Sequence, residues 1–426
     1  MKTRRVSMGL KRLLLKNTFF QIAAQIISIA MGMAVNMVLA RYLGVEGFGR
    51  YNYVFAFYFF FLSLNDFGTN TIVIREVSKK REEAGEIISA MVGMKLVISL
   101  VSILIAWSII LIMHRPPEMK ASLFLYAFML PILALQLPLI VFQIDLKMEY
   151  PSMLAICNRL VEFLLLMIAV WKGLGVPGLI CALVFADALF IPIYWFLSKK
   201  LIQLSVKFDL KIWKSIFRSS IPLGLAGLLG LFINQANFIF LEKMGSLEDV
   251  GFYSAAYRVT TLFQLFPLMI MSTLYPIMSR YAAQNPAKLR SLYRRSQGYF
   301  ILAGLCLGIG ISLLSPWIIR IIFGLKFTPA AQSLAVLIWS VVFLYFSISA
   351  GNILISMGHE KMSLVNLGVG GLINVSLNYF LIPRWGHLGA AWATTAAFLG
   401  IGLGTIIATE HYLPKAKKAP GSRCIF

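Results

Sequence analysis

Apolar residues run along most of the chain in blocks of about twenty, separated by short polar stretches. Roughly 30 Å of hydrocarbon divided by 1.5 Å per residue sets that block length for a membrane-spanning helix. The pattern predicts twelve spans, near 18–40, 51–71, 87–113, 121–143, 153–170, 178–197, 218–241, 252–278, 298–317, 329–351, 364–382 and 389–411. The first reads NTFFQIAAQIISIAMGMAVN, and in it Asn17, Gln21, Gln25, Ser28, Gly32 and Asn36 recur at gaps of 4, 4, 3, 4 and 4. At 100° per residue these six share one arc of about 100° on a helix. Two readings follow: the stripe lines a wet cavity, or it marks where helices pack, since small and polar residues gather there too.

The chain also resembles itself. LGVEGFGRY (43–51) answers to MGSLEDVGFY (244–253), and GLGVPGLICALVF (173–185) to RWGHLGAAWATTA (384–396). Six spans per half is an even number, so both halves enter the membrane in the same sense, as a parallel repeat. The expected organisation is an N-terminal six-helix lobe at 1–197, a basic connector lying at the cytoplasmic interface at 198–217, a C-terminal six-helix lobe at 218–411 and a cytoplasmic tail at 412–426. The polar face of the first span has a partial echo in the seventh, at Ser219, Gly227, Gly230 and Asn234.

Composition agrees with this class. Of 426 residues, 59% are hydrophobic and 13% charged, with a mean hydropathy of +0.81; soluble domains carry about 25% charged residues. The net charge of +22 invites a nucleic-acid reading, but no stretch forms a soluble basic domain. The positive-inside rule explains the charge instead. Termini and even-numbered loops hold 27 Lys and Arg, odd-numbered loops nine, and spans three, which accounts for the 39 present. Both termini are therefore expected in the cytoplasm, in a multi-pass protein of the cell membrane. The basic start runs into an apolar segment reaching about Leu39, longer than a signal peptide needs, so it reads as a retained span. Four scattered cysteines and four scattered histidines show no disulfide or metal-ligand spacing, and neither a metal nor another cofactor is expected.

Charges inside spans are costly and usually face protein or water. The candidates are Asp66, Lys95, Arg159, Glu162, Asp187 and Arg258. Arg159 and Glu162, three apart, can pair on one helix face; alternatively Arg159 meets substrate phosphate, which suits its planar fork. Lys95 and Arg258 are cavity cations or snorkel to an interface. Arg41 and Arg75 flank opposite mouths of the expected cleft, as phosphate contacts or as membrane anchors. Asp66 sits in NDFGTN, where a helix break is expected and freed carbonyls can hold an ion. Asp187 has no charged neighbour in sequence. Asp66, Asp187 and Glu162 are the ion-coupling candidates, with H+ or Na+ as the ion. Asn17, Gln21, Gln25, Asn36, Asn234 and Asn237 are the candidate cavity lining. Prolines at 131, 138, 192, 222, 267 and 276 predict kinks.

ARYLGVEGFGRY, LNDFGTNTIVIRE, DVGFYSAAYRV, TLYPIMSR and, most specifically, NVSLNYFLIPRWGHLGAAWAT resemble the polysaccharide-biosynthesis flippases. These include the O-antigen repeat-unit exporters of the multidrug/oligosaccharidyl-lipid/polysaccharide (MOP) superfamily. The resemblance implies an all-α membrane protein, two six-helix lobes forming a V around a central cavity. It implies movement of a polyprenyl-pyrophosphate-linked oligosaccharide from the cytoplasmic to the outer leaflet by alternating access. The expected partners are that glycolipid, membrane lipids and a polysaccharide polymerase or glycosyltransferase machinery. An ion gradient is the implied energy source, and no GxxxxGK[ST] phosphate loop occurs. Relatives often carry an acid in the seventh span, where this chain has NQANFIF, so Asn234 or Asn237 stands in its place. The alternatives are a cation-coupled multidrug exporter of the same superfamily and a non-transport partner of a polysaccharide assembly complex. No loop is long enough for a catalytic domain, so a secondary transporter is expected and not an enzyme.

Overall fold

The computed structural model describes the backbone of residues 2–413 apart from residue 146. Side chains are described from residue 25 onward, except at 79, 146, 222–223, 226, 229–234, 269, 272–273, 276, 283 and 360. Thirteen α-helices occupy the described residues: α1 (Lys2–Asp66), α2 (Thr69–Lys79), α3 (Ala84–Ile112), α4 (Pro117–Tyr126), α5 (Met129–Leu135), α6 (Ile140–Ile144), α7 (Glu149–Trp171), α8 (Val176–Lys199), α9 (Leu210–Met244), α10 (Leu247–Gln284), α11 (Pro286–Ile322), α12 (Ala330–Ser356) and α13 (Glu360–Tyr412). Both α1 and α13 are two helices joined across a bend, at Gly44 (φ 68°) and Gly386 (φ 49°). Dividing them there, and taking α4–α6 as one interrupted segment, α1 and α3–α13 reproduce the twelve apolar segments of the sequence. Among the described residues eight helical stretches are long and apolar enough to cross a bilayer, each bent pair counting once.

The fourth segment departs from expectation. The pattern predicts one helix over 121–143; the chain instead breaks after Tyr126 and again around Gln136, with a 3-10 turn at Leu137–Leu139. A proline ring clashes with the carbonyl four residues earlier and donates no backbone hydrogen bond. Pro131 therefore disrupts the helix near Ala127, and Pro138 disrupts it near Ala134.

Small and polar side chains join apolar ones in the interior of these helices, while large apolar side chains also face outward. On α3, Ser89, Gly93, Lys95, Ser99 and Ser102 are buried, while Leu100, Val101, Leu104, Ile105 and Leu111 point outward. Hydrocarbon is as apolar as leucine, so nothing drives leucine inward; close packing and hydrogen bonding bring small and polar side chains together instead.

Two compact units divide the chain, Met1–Leu231 and Phe232–Phe426. In the first, Ile72, Val73 and Val77 of α2 pack on Ile88, Met91 and Val92 of α3, and Val141 and Phe142 of α6 close the cluster. In the second, Tyr293 and Phe300 of α11 pack on Val341, Tyr345 and Ile348 of α12. The paired sequence motifs meet within each unit. The Tyr42 hydroxyl donates to the Leu174 carbonyl at 2.9 Å, and the His387 backbone N–H donates to Asp249 Oδ1 at 2.9 Å. Asp249 also completes a capping box with Ser246 at the start of α10, satisfying two orphan donors at that helix end.

Residues between α8 and α9 run extended along α3. The Ser205 N–H donates to Ser89 Oγ at 3.1 Å and the Lys207 N–H to the Ser89 carbonyl at 3.3 Å. Trp213 of α9 adds an indole hydrogen bond to the Ala90 carbonyl at 2.7 Å. Gly85 and Gly93, one turn before and one after Ser89, make this approach possible. A Cβ on Gly85 would lie 2.5 Å from the Gln203 carbonyl oxygen, and one on Gly93 would overlap the Lys207 carbonyl. Backbone on both sides leaves no side chain free to yield. Gly93→Ala should therefore cost about 1–3 kcal/mol through overpacking and lower the apparent Tm. Gly298→Ala, at an exposed helical site with nothing within 4 Å, should leave it level or raise it, as alanine favours helix over glycine. Thermal unfolding of the purified variants checks this, and equal midpoints for both would contradict it.

Candidate functional site

The most polar part of the first unit's interior begins where α1 ends. Phe67 (φ 39°) and Gly68 (φ 72°) take left-handed backbone conformations, a region that costs a bulky residue energy and favours glycine. The Phe67 ring is held by stacking on Phe217, with centroids 5.4 Å apart, and it lies against Gly224. The turn releases Asp66 and Asn70 from helical register, and Thr69 Oγ1 donates to the Asp66 carbonyl at 2.6 Å.

Into this break α3 inserts Lys95, which is 5% exposed. Its ammonium donates to Asp66 Oδ1 at 3.0 Å and to Asn70 Oδ1 at 2.8 Å. Asn65 lies behind, donating to Ser99 Oγ and the Leu130 carbonyl at 2.9 and 3.0 Å. A cavity of about 280 Å³ adjoins these groups, lined by Asn65, Asp66, Asn70, Lys95 and Gln136 together with apolar residues of α5 and its continuation. Lys95 thus does not snorkel: it turns inward and joins the coupling candidate Asp66 in one ion pair, which the sequence kept as separate roles.

Gln136, exposed by the proline break, carries polarity across the unit by hydrogen bonding Asp187. Asp187 Oδ1 in turn accepts from Asn158 Nδ2 at 2.7 Å, so the acid with no charged sequence neighbour has an amide partner from α7. One turn on, Arg159 Nη1 meets Glu162 Oε2 at 2.5 Å. The Arg159 side chain is half exposed and that of Glu162 mostly buried. A belt of amides, acids and cations therefore runs from the α1–α2 break through α5–α6 to α7 and α8.

Other predicted residues lie outside that belt. Arg41 and Arg75 are exposed, and Arg75 pairs with its neighbour Glu76 at 2.9 Å. Arg258 is half-buried on α10. Along the amide stripe, Gln25 is exposed and a Cβ on Gly32 would meet nothing within 4 Å. Asn36 is buried and donates to the Gly32 carbonyl at 2.7 Å, so its amide serves its own helix. The side chains of Asn17, Gln21 and Asn234 lie outside the described residues.

Asn237 is fully buried in the second unit. Its Oδ1 accepts from Asn378 Nδ2 at 2.7 Å and from Asn374 Nδ2 at 3.3 Å, and Asn378 Nδ2 also donates to Asn374 Oδ1 at 2.9 Å. Tyr253, which bonds Thr394 at 3.1 Å, hydrogen-bonds Asn237 as well. Asn374 and Asn378 were not singled out from sequence, although the four-residue spacing in NVSLNYF sets them on one helix face. Where an acid is expected from resemblance, the second unit holds an uncharged amide triad. Asn237→Ala would leave the buried Asn374 amide without its acceptor and take one of two acceptors from Asn378, at about 1–3 kcal/mol for an unmet group. The apparent Tm should fall well below that of Asn352→Ala, whose amide donates only to its own helix. Equal thermal midpoints would remove the triad as a stabilising element.

The chain matches the polysaccharide biosynthesis protein family over residues 14–282 and the MatE family over 222–380. It is 26% identical over 243 residues to the probable low-salt glycan biosynthesis flippase Agl15 of Haloferax volcanii, covering 57% of this chain and 50% of that one. It is 26% identical over 207 residues to the capsular polysaccharide biosynthesis protein CapF of Staphylococcus aureus, covering 47% of this chain and 51% of that one. The chain thus spans about half the length of the curated relatives it matches. It is similar in fold to a structure of the lipid II flippase MurJ, that structure being in an inward closed conformation, with TM-score 0.77, 15% identity, and 92% of this chain and 87% of that chain covered. An inward-facing multidrug resistance MATE family transporter of the MOP superfamily superposes with TM-score 0.70 at 16% identity, covering 91% of this chain and 94% of that chain. The chain is a multi-pass membrane protein with the MOP transporter fold, and it belongs to the polysaccharide biosynthesis protein family.

Proposed function

We propose that this protein is a flippase that carries a polyprenyl-pyrophosphate-linked oligosaccharide from the cytoplasmic to the outer leaflet by alternating access, using an ion gradient. The observation that carries the reading is the mixed interior of the first unit, where Lys95 and Arg159 lie among amides and three acids. Cations can meet a diphosphate, while amides offer both donors and acceptors to sugar hydroxyls. The roles of the matched relatives, a probable glycan biosynthesis flippase and a capsular polysaccharide biosynthesis protein, support that substrate class. The excess of Lys and Arg in the even-numbered loops and termini supports cytoplasmic termini in the cell membrane. A polymerase or glycosyltransferase complex is the natural partner downstream or upstream of such a step.

A second reading rests on the MatE match over 222–380: export of a cationic small molecule. Cationic cargo is best served by an acidic, cation-poor interior, which the paired Lys95 and Arg159 do not provide.

Proteoliposomes containing only this protein and a fluorescent polyprenyl-pyrophosphate glycan distinguish the two. The labelled sugar should change leaflet, faster under an imposed ion gradient, and Arg159→Glu should abolish the transfer while the variant still inserts into membranes. Unchanged leaflet accessibility together with efflux of a cationic dye would favour the second reading.

A further inference from the structure

The Lys95 ammonium rests in a cradle built from oxygen. Asp66 Oδ1 and Asn70 Oδ1 lie 3.0 and 2.8 Å from it, at the end of α1, where the last carbonyls carry the negative pole of the helix. Asn65 lines the same cavity and is 4% exposed; its Oδ1 is buried and has no hydrogen-bond partner among the described residues. One carboxylate with amide oxygens, beside a broken helix, is a donor set for a hard cation of low charge, since oxygen ligands select such ions and broken helices hold them. Asp66 and Lys95 are the charged groups on the cavity wall, and the rest of its polar lining is amide.

We propose that Lys95 is a tethered cation: its ammonium fills a monovalent-cation site in the first unit, so the native chain binds no free sodium there. An ammonium and a monovalent metal ion satisfy the same carboxylate with the same single charge. The lysine stem reaches the cradle from α3, a different element from the one that supplies the oxygens. Shortening that stem joins its volume to a cavity that already has polar groups on its wall, and polar cavities of this size admit water. This goes beyond the transport reading, because it concerns which charge holds the α1–α2 break and not what the protein moves.

The experiment uses full-length protein in nanodiscs, with sodium chloride compared against N-methyl-D-glucamine chloride at equal ionic strength. Lys95→Ser should bind one more radiolabelled sodium per chain than the wild type. Its apparent Tm should rise saturably with sodium by about 2–4 °C more than that of the wild type. The double variant Lys95→Ser/Asp66→Asn should lose the added site, since no charge remains to hold the ion. Recovery of folded Lys95→Ser in sodium but not in N-methyl-D-glucamine is the same positive result. Equal behaviour of Lys95→Ser in the two salts, loss in both included, overturns the assignment. So does added sodium binding retained by the double variant, or a sodium shift of the wild-type midpoint as large as that of Lys95→Ser. Leaflet transfer by the wild-type protein is measured separately, so failure here leaves the flippase reading standing.

Discussion

The first unit is organised around one buried positive charge. A lone charge near the bilayer centre costs about 2.5–3.5 kcal/mol on insertion scales, and Lys95 escapes that cost only because Asp66 and Asn70 meet it. They meet it because the chain leaves α1 through a left-handed turn at Phe67 and Gly68. The turn is held in place by packing of the Phe67 ring on Phe217 and Gly224. An ordinary continuous helix would carry Asp66 and Asn70 on one face at i and i+4 but would leave no opening for a side chain from α3. The strained turn, the ion pair and the adjoining cavity thus form one arrangement.

The Lys95 site of the first unit and the Asn237 site of the second handle interior polarity differently, although the sequences of the two units repeat. The first concentrates charge, with Lys95–Asp66 and Arg159–Glu162 linked through Gln136 and the Asp187–Asn158 contact. At the Asn237 site the second uses neutral amides, where three asparagines hydrogen-bond one another and Asn378 Oδ1 stays buried without a partner among the described residues. A neutral triad is a fixed cross-link with little response to ions, whereas paired charges change partners when protonation or an anionic ligand alters the balance.

Some of the site was readable one residue at a time. The i, i+3 spacing of Arg159 and Glu162 predicts their pairing, and the Gly flanked by polar residues in NDFGTN predicts the break beside Asp66. The destination of Lys95 was not readable, because snorkelling and inward pairing need the same sequence, and only the position of α3 against α1 separates them. Asn374 and Asn378 were overlooked because asparagine in a membrane helix looks alike whether it faces a cavity, a neighbouring helix or its own backbone. Asn36 shows the last case.

By itself the sequence determined the environment and the count of helices, because hydrocarbon thickness translates directly into the length of apolar blocks. It also determined the internal repeat, the kink-prone prolines and the membership of the polysaccharide biosynthesis protein family, all of which are carried by local patterns. Tertiary structure decided which interior charges meet, that the fourth segment breaks twice and presents Gln136, and that the segment between α8 and α9 lies in the Gly85–Ser89–Gly93 track. Each of these joins residues far apart in the chain or depends on how a bend is absorbed by its neighbours. A pattern of hydrophobic and polar positions records what a residue can tolerate, and only packing selects the partner it takes.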